Sequence, residues 1–488
     1  MRRYICFLVG LLSLPSFALQ RKLSLSEAQL IAEERSYEAQ MARFSFMASY
    51  WSYRSFKAEL MPSLGLNGGL MNYDRSVTSV RSYENGRISY VDYNTLSNSL
   101  GLSLNQRIAA TGGTLSLQSY LYRLDQFNYK EKTYDTQPLR ISYSQPLRSY
   151  NPLKWQKKIA PLEYQIAQRD YLSTIEQVKG HVTSLFFSVL YAQLTRRQAE
   201  TKVTDRERLY ELTRRRTELG TATQSDQMQM ELSLLNARVE LQQAEQSLTN
   251  AQYSLYSYLR VTDYKDVELE IPFLIPDLVV NVDDVVDMAL KNSSHNMDQQ
   301  LAILQYEQSL AQAKANKGIQ MSLSSELGVR QTADRLPAAY SHLKDYEVIG
   351  VSLSLPIFDW GVSRGRVKMA QAQLDMARTQ QEQLHEDYVQ SLYQKVVQFN
   401  TQPLQCENAL RAQDIAEGRY DITKRRYEEG TASVTDLNTA QMEWESAQVQ
   451  YLNQLSTFWI DYYSLQQVTL YDWIRKVDIQ ADFDRLLE

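Results

Sequence analysis

One short motif occurs twice at a fixed distance, and this repeat constrains the fold more than any other feature of the sequence. GTATQSD at Gly220 to Asp226 recurs as GTASVTD at Gly430 to Asp436, 210 residues later. Helix-rich segments can match by convergence, but a gapless register centred on a turn favours an internal duplication. The same offset aligns Tyr210 with Tyr420, Thr213 with Thr423, Arg215 and Arg216 with Arg425 and Arg426, Glu218 with Glu428, and Ala237 with Ala447.

The segment before each turn has the pattern of one very long helix. Between Leu153 and Leu219 the only glycine is Gly180, no proline follows Pro161, and apolar residues recur three and four positions apart. This pattern predicts a helix of about 67 residues, roughly 100 Å long. The second copy predicts a comparable helix from about Gly361 to Glu429.

A shorter helix is predicted after each turn. The first extends to about Arg260, and Ser225 or Asp226 is expected to cap its start. The second extends from about Val434 to Val468. Each copy is thus predicted to form an antiparallel helical hairpin, in which Gly220 or Gly430 supplies the left-handed residue that ends the long helix.

Segments of alternating apolar and polar residues precede each long helix. Their two faces and lengths of about ten residues predict four strands per chain of the kind found in membrane barrels, although a soluble sandwich would show the same alternation. Two further alternating segments, 99–106 and 113–122, are interpreted as either an extracellular elaboration or a strand extension, and Tyr83 to Tyr93 is predicted to be a loop. The four predicted strands lie in Ser63 to Tyr73, Leu139 to Ser144, Gln320 to Arg330 and Val348 to Phe358.

Shorter helices are predicted before the strands of each half. They cover about Ser26 to Leu60 and Val282 to Lys317, with breaks near Ser36 and Ser293. The predicted organisation is a signal peptide at 1–18, a first structural repeat at 19–260, a linker or equatorial segment at 261–281, a second repeat at 282–470 and a C-terminal tail at 471–488.

The first residues have the pattern of a secretory signal peptide. Arg2 and Arg3 precede an apolar run that ends near Leu14, and cleavage is expected after Ala18. Leu19 and Gln20 stand where a lipoprotein would have its cysteine, so no lipid anchor is expected. Cleavage would leave Cys406 as the one cysteine, and a core thiol is the expected role.

Several function classes are not favoured by the sequence. The formal net charge is −5 and basic residues are scattered, so nucleic acid is not an expected partner. No phosphate-binding loop or nucleophile elbow is present, so neither an enzyme nor a cofactor is expected. The four histidines lack metal-ligand spacing, so no metal site is expected: His181, His295, His342 and His385.

The order of these features resembles the TolC-type outer-membrane efflux proteins. The resemblance covers essentially the whole chain after the signal peptide. It depends on Tyr427, Gly430, Thr431 and Asp436 in the second turn. It also depends on LPIFDWG at Leu355 to Gly361 and its weaker counterpart QPLRSYN at Gln145 to Asn151.

The resemblance implies a mainly helical, TolC-like fold with a small membrane β portion. Three chains would form a helical tunnel and a 12-stranded barrel, four strands from each chain. The protein would be an outer-membrane exit duct with a long periplasmic extension, a passive channel of a tripartite efflux or type I secretion system. Its expected partners are two further copies, outer-membrane lipid, a periplasmic adaptor protein and an inner-membrane pump of the resistance-nodulation-division or ABC type.

The resemblance also implies roles for the two turns. They would form the periplasmic tips that dock the adaptor through Gly220, Thr221, Ala222, Gly430, Thr431, Ala432 and Ser433. Asp436 would face the constricted pore mouth, and Tyr427 and Asp226 would join neighbouring hairpins. Both aspartates are also suited to cap a helix.

Two positions depart from the family pattern. Ala432 stands where the family often has arginine, and Thr439 stands at a position that is often acidic. The gate contacts are therefore expected to be weaker or to involve other arginines: Arg215, Arg216, Arg425 or Arg426.

Two other functions stay open at this point. A self-contained outer-membrane diffusion pore would not explain the long helical hairpins, and a structural periplasmic coiled coil would not explain the alternating strands. The sequence does not identify the exported substrate, the pump or the adaptor.

Overall fold

A computed structural model describes residues 22–81, 86–262, 268–272, 275–429 and 431–487. The predicted signal peptide and Gly430 therefore lie outside the described residues. The chain divides into two compact units, and each contains segments from both halves of the sequence. The helical unit comprises residues up to Met47, Gln168–Ser294 and Glu386 onward; the sheet unit comprises Ala48–Ala167 and His295–His385.

The helices follow the predicted order closely. The two long helices α3 and α8 each have 67 residues, and the helices after the turns, α4 and α9, each have 36. The predicted breaks are confirmed at Ser36 and Ser293. The helices are α1 Leu25–Arg35, α2 Tyr37–Glu59, α3 Pro152–Glu218, α4 Gln224–Leu259, α5 Val282–Asn292, α6 His295–Lys317, α7 Leu336–Ala339, α8 Val362–Glu428 and α9 Val434–Thr469, with a final 3₁₀ turn at Arg485–Leu487.

The predicted number of strands, four per chain, is wrong. The main sheet has six strands in the order β2-β3-β4-β5-β7-β8, and every neighbouring pair is antiparallel. Two-residue strands form two small pairs, β1 with β6 and β9 with β10. The strands are β1 Lys22–Leu23, β2 Ser63–Arg81, β3 Ile88–Ile108, β4 Gly113–Gln126, β5 Glu131–Arg148, β6 Glu268–Leu269, β7 Gln320–Ala333, β8 Lys344–Ser354, β9 Tyr471–Asp472 and β10 Val477–Asp478.

The loop predicted at Tyr83 to Tyr93 is also largely replaced by strand. β3 begins at Ile88 and pairs with β2 up to Arg81. Gly86 has a φ of 66°, a left-handed conformation that glycine adopts readily, and Tyr83 to Asn85 of the predicted loop lie outside the described residues. The segments 99–106 and 113–122 lie within β3 and β4, so they are strands of this sheet.

The core of the helical unit lies where α1, α3, α4 and α9 meet. Its fully buried side chains include Phe186 of α3, Tyr256 of α4 and Leu455 of α9. A neighbouring cluster contains Cys406, which is completely buried, as predicted for a core thiol. Burial raises the pKa of the Cys406 thiol to about 11, so the thiol stays protonated at neutral pH.

Within the described ranges, no helix combines the length and the apolar character needed to cross a membrane.

Candidate functional site at the hairpin tips

The first turn is closed by backbone hydrogen bonds to the last carbonyls of α3. The amides of Thr221 and Ala222 donate to the carbonyl of Arg216 at 2.8 and 3.2 Å, and the Thr221 hydroxyl donates to the same oxygen at 3.0 Å. Gly220 has a φ of 73°, so it is the left-handed residue that ends the helix, as predicted.

The helix after the turn begins with a capping box. The N-cap is Thr223, not Ser225 or Asp226 as predicted. The Thr223 side chain reaches the free backbone amide of Asp226, which lies three residues later in the first turn of α4. The Asp226 amide donates to the Thr223 hydroxyl oxygen at 3.1 Å. In return the Thr223 amide and hydroxyl donate to the Asp226 carboxylate at 3.0 and 2.7 Å.

The second turn repeats this geometry. The Thr431 amide donates to the Arg426 carbonyl at 2.8 Å, and Ser433 is the N-cap of α9. The Asp436 amide donates to the Ser433 hydroxyl oxygen at 3.1 Å, and the Ser433 hydroxyl donates to the Asp436 carboxylate at 2.7 Å. The two turns are therefore built alike down to the capping side chains.

Both aspartates are ionised and exposed. Hydrogen bonds from the Thr223 hydroxyl and amide hold the pKa of Asp226 below its usual range. The Ser433 hydroxyl and amide do the same for the pKa of Asp436, with smaller contributions from Arg426 and Arg419. The hydrogen bonds stabilise the charged form of each carboxylate, so each turn presents a fixed negative charge at the start of a helix.

A polar cleft of about 470 Å³ lies close to the tips, between α3, α8 and α9. Its floor is a small apolar cluster in which Tyr420, Leu437 and Ala440 are buried. Its walls are rich in charged side chains, with arginines more frequent than carboxylates. The cleft is lined by Asp205, Arg206, Arg208, Leu209, Glu211, Leu212, Arg215, Arg216, Tyr420, Lys424, Tyr427, Leu437 and Gln441.

Polar contacts in this cleft join the first hairpin to the second. The Tyr420 hydroxyl donates to Asp205 Oδ2 at 3.3 Å, and Lys424 Nζ lies 3.8 Å from Asp205 Oδ1. Arg206, which is only 8% exposed, donates to Asn438 Oδ1 at 2.8 Å. Because these bonds connect residues more than 200 positions apart, they fix the spacing of α3 from α8 and α9 near the tips.

Only some of the predicted gate residues meet in this chain. Tyr427, Arg215 and Arg216 line the same cleft. Arg425 donates to the Asp421 carbonyl of its own helix, and Arg426 donates to the Thr431 carbonyl within its own turn. Within the parts of the chain that the structure describes, the side-chain hydrogen bonds recorded for Asp226 and Asp436 are those of their own caps.

The two departures from the family pattern have a local structure. Ala432 is half-buried in the second turn, where it places no charge. The Thr439 hydroxyl donates to the Thr435 carbonyl at 2.9 Å, so it is engaged within α9. Neither residue forms a contact with the other hairpin among the described hydrogen bonds.

Sequence reasoning missed the cross-hairpin contacts of Asp205, Arg206 and Asn438. These residues lie on long polar helix faces, where many similar side chains are solvated, and no local motif distinguishes them. Tyr420 was visible as the repeat partner of Tyr210. Its stacking on Trp444, with ring centroids 5.0 Å apart and planes at 5°, was not predictable, since the helix register decides it.

Comparison with known proteins agrees with this architecture. Among curated proteins, no sequence matches the chain. Several solved structures share its fold. The Campylobacter jejuni CmeC outer membrane channel is 16% identical, with a TM-score of 0.65, and the match covers 94% of this chain and 88% of that one.

Two further channel structures have the same fold. The outer membrane protein VceC from Vibrio cholerae is 16% identical, with a TM-score of 0.61 over 92% of this chain and 95% of that one. The open state of the Neisseria gonorrhoeae MtrE outer membrane channel is 16% identical, with a TM-score of 0.60, and the match covers 94% of this chain and 91% of that one.

A family model gives the match at the level of sequence. The model described as outer membrane efflux protein matches residues 14–259 and 285–469. These ranges contain both long helical hairpins and all six strands of the main sheet. The family consists of channels and not of enzymes, and its members lie in the outer membrane. The chain therefore belongs to the outer membrane efflux protein family.

Proposed function

We propose that the chain is one subunit of a trimeric exit duct that spans the outer membrane and extends into the periplasm. Residues 1–18 act as a cleaved signal peptide that directs the chain to export. The duct is passive, and an inner-membrane pump of the resistance-nodulation-division or ABC type drives export through it. A periplasmic adaptor joins the pump to the duct at the hairpin tips and makes the assembly a tripartite efflux or type I secretion system.

The observation that carries this proposal is a two-faced sheet in the same chain as two matched helical hairpins. One face of the sheet is apolar and exposed, as Leu66, Leu102 and Val351 show. The edge strands β2 and β8 leave backbone groups that lipid cannot satisfy. Further copies of the chain supply the missing partners, whereas a solitary periplasmic coiled coil would need no such sheet.

The tips have the properties of a docking surface. Thr221, Thr431 and Ser433 are exposed, and Ala222 and Ala432 are half-buried. Side chains of this size allow another backbone to approach closely. The matching helix caps of the two turns mean that three chains would present six similar contacts, which suits a partner made of repeated hairpins. A diffusion pore that acts alone has no use for such matched tips.

The test is site-specific cross-linking in the native host. A photo-reactive amino acid at Thr221 or Thr431 is expected to capture a periplasmic adaptor, identified by mass spectrometry. Thr221→Trp with Thr431→Trp is expected to abolish capture from a neighbouring reactive position, Ser225, because the indoles block close approach. Thr221→Ser with Thr431→Ser is the matched control, since it retains both hydroxyls and adds no volume.

Three outcomes separate the candidate functions. Adaptor capture that is lost in the tryptophan variant and retained in the serine variant supports the duct. An outer-membrane trimer that captures no adaptor at either tip favours the self-contained pore. Recovery of the protein in the soluble periplasmic fraction favours the structural coiled coil and contradicts the proposal.

A further inference from the structure

We propose that each subunit contributes six strands to the membrane wall, so that three copies close an 18-stranded barrel. This inference rests on the trimeric duct proposed above and adds the architecture of its membrane portion. Compared with the four strands per chain that the family resemblance implies, the additional two strands are those of the hairpin β3–β4. Four observations assign it to the wall and not to an appendage outside the membrane.

The first observation is continuous pairing. β4 pairs with β3 from Gly113 opposite Ile108 to Gln126 opposite Thr95, without a register shift. β3 also pairs with β2, and β4 with β5, along almost their whole lengths. The hairpin therefore lies inside the sheet, with hydrogen-bonded neighbours on both sides, and cannot leave the wall without breaking two ladders.

The second observation is an unbroken apolar row across five strands. Residues directly opposite one another in a sheet share a face. In this row each member is at least 37% exposed, so no described part of the chain covers this apolar face. The row consists of Leu64, Leu104, Leu117, Ile141 and Leu327 on β2, β3, β4, β5 and β7.

The adjacent row, on the opposite face, is polar throughout. It consists of Ser63, Asn105, Ser116, Ser142 and Glu326 on the same five strands. Glu326 forms an ion pair with Arg140 on this face. A membrane barrel has an apolar outer face and a polar inner face. β3 and β4 follow this pattern in phase with β2, β5 and β7, so they face lipid and water in the same way.

The third observation is the position of the turn between β3 and β4. Asn151 Nδ2, just before α3, donates to the Ala109 carbonyl at 3.0 Å, and Gln145 Nε2 donates to the Thr111 carbonyl at 2.9 Å. Gln106 Nε2 donates to the Leu60 carbonyl after α2 at 2.9 Å. The turn thus lies where the helices of the sheet unit meet the sheet, and the hairpin traverses the full wall.

The fourth observation is that the two edges suit each other. β2 begins beside α2 at Ser63 and β8 ends before α8 at Ser354, so they run in opposite directions. Both carry exposed apolar side chains near the helices, with Leu64 and Leu66 on β2 and Val351 on β8. In copies related by rotation about the barrel axis, β2 of one copy would pair antiparallel with β8 of the next. The apolar face would then continue from one copy to the next.

The strand number sets the width of the barrel. With a strand spacing of about 4.8 Å and a tilt of about 40°, 18 strands give a backbone diameter of about 36 Å, whereas 12 strands give about 24 Å. Barrels of 16–18 strands enclose an aqueous channel. The outer-membrane opening of this duct is therefore wide enough for a bulky or partly folded cargo.

The test measures which side chains of the hairpin face lipid. Single cysteines are introduced in a Cys406→Ala background at Leu102 and Leu117 on the apolar face and at Ser103 and Gln118 on the polar face. The full-length protein is reconstituted in phosphatidylcholine liposomes and spin-labelled, and collisional access to oxygen and to a nickel chelate is measured. Leu323 and Ser324 on β7 are the matched controls for the two faces.

The expected result is that the leucine sites behave like Leu323, open to oxygen and closed to the chelate. The Ser103 and Gln118 sites are expected to behave like Ser324, with the reverse pattern. A second measurement tests closure: cysteine pairs between Leu66 and Ile349, Val351 or Leu353 are oxidised, and a covalent trimer is expected on a non-reducing gel.

Chelate access on both faces of β3 and β4 would overturn the inference, because it would place the hairpin in water. If that result comes from a particle that native mass spectrometry shows to be a trimer, the duct survives with fewer wall strands. A monomeric particle would instead contradict the proposed duct itself.

Discussion

The hydroxyls of Thr223 and Ser433 decide where the second helix of each hairpin begins. Each hydroxyl accepts the amide hydrogen bond of the aspartate three residues later, at 3.1 Å in both turns. Without this acceptor, the amide at the start of the helix would have only water as a partner. The two residues therefore fix the length and shape of the tips, independently of any partner.

Thr223→Ala is expected to destabilise the start of α4 by about 1 kcal/mol. This corresponds to a roughly fivefold faster hydrogen exchange of the amides of Gln224 to Gln227, measured by mass spectrometry. Ser225→Ala is the control, because Ser225 is exposed and makes no capping bond. Equal exchange rates in the two variants would show that the cap does not hold this turn.

The pH dependence of the caps follows from the pKa of Asp226 and Asp436. Both values are lower in the folded chain than the ordinary 3.8. A group with a lowered folded pKa contributes stability that is present above the unfolded pKa and lost as the pH falls through the folded value. The tips should therefore keep their caps from pH 7 down to pH 5, at which both carboxylates stay ionised.

At the scale of elements, a partly buried ion network joins α1 to α3. Lys179 Nζ lies 2.7 Å from Glu176 Oε1 and 3.1 Å from Glu33 Oε1. Glu176 is 1% exposed, and in the described part of the chain its second oxygen, Oε2, has no hydrogen-bond partner. Burial raises the pKa of Glu176, and the Lys179 charge opposes this rise only in part.

Lys179→Met is expected to lower the free energy of unfolding by about 3 kcal/mol at pH 7, since it leaves the Glu176 charge buried and unpaired. A raised folded pKa means that the Glu176 contribution is full below the unfolded pKa and is lost as the pH rises through the folded value. The loss should therefore be smaller at pH 5 than at pH 7, measured by thermal unfolding in detergent.

Glu176→Gln combined with Lys179→Met is the matched control. Removal of both charges leaves Glu33 as the one carboxylate of the network, and because its side chain is 28% exposed water can solvate it, so most of the lost stability should return. A double variant as unstable as Lys179→Met alone would show that the packing of the lysine stem, and not its charge, holds α1 on α3.

The predictability of these elements from sequence depended on how local their signals are. The long helices were predictable within one or two residues, because 67-residue runs with helical periodicity and a terminal glycine leave no alternative. The C-terminal part of β2 and the N-terminal part of β3, which pair with each other, were not predictable. Around Asp74 and Tyr90 both strand faces contain polar residues, so the alternation disappears although the ladder continues. Pairing with a neighbouring strand, which no local pattern encodes, determines these residues.

The candidate site was predictable to a similar extent. The turns were visible through the repeat, and the capping motifs were visible but assigned to the wrong residue. The contact of Arg206 with Asn438 depends on the relative register of helices from the two halves. Helix register is set by packing over many residues, so a single sequence does not reveal which of many surface arginines becomes buried.

At the scale of the whole molecule, the fixed charge of Asp436 has a consequence for ion selectivity. The family resemblance implies that Asp436 faces the pore mouth, so three such carboxylates would surround it in the proposed trimer and would favour cations. Asp436→Asn is expected to move the reversal potential in a salt gradient toward zero, while the amide oxygen preserves the cap. Because the pKa of Asp436 is lowered, the selectivity of the unmodified channel should not change between pH 7 and pH 5.

The family resemblance implies that contacts between neighbouring hairpins hold the same pore mouth closed, and we expect Tyr427 and Asp226 to take part in them. Tyr427 lies in the cleft with Arg215 and Arg216, where its ring packs against the cluster around Tyr420. Tyr427→Phe with Asp226→Ala is expected to raise the conductance and opening frequency of the purified trimer in a planar bilayer, since it removes a hydroxyl and a carboxylate available to neighbouring hairpins. Thr223→Ala weakens the cap but keeps both groups, so it separates tip stability from gating. If the double variant conducts like the unmodified trimer, these residues do not form the latch, and the arginine-rich wall of the cleft becomes the place where closure is decided.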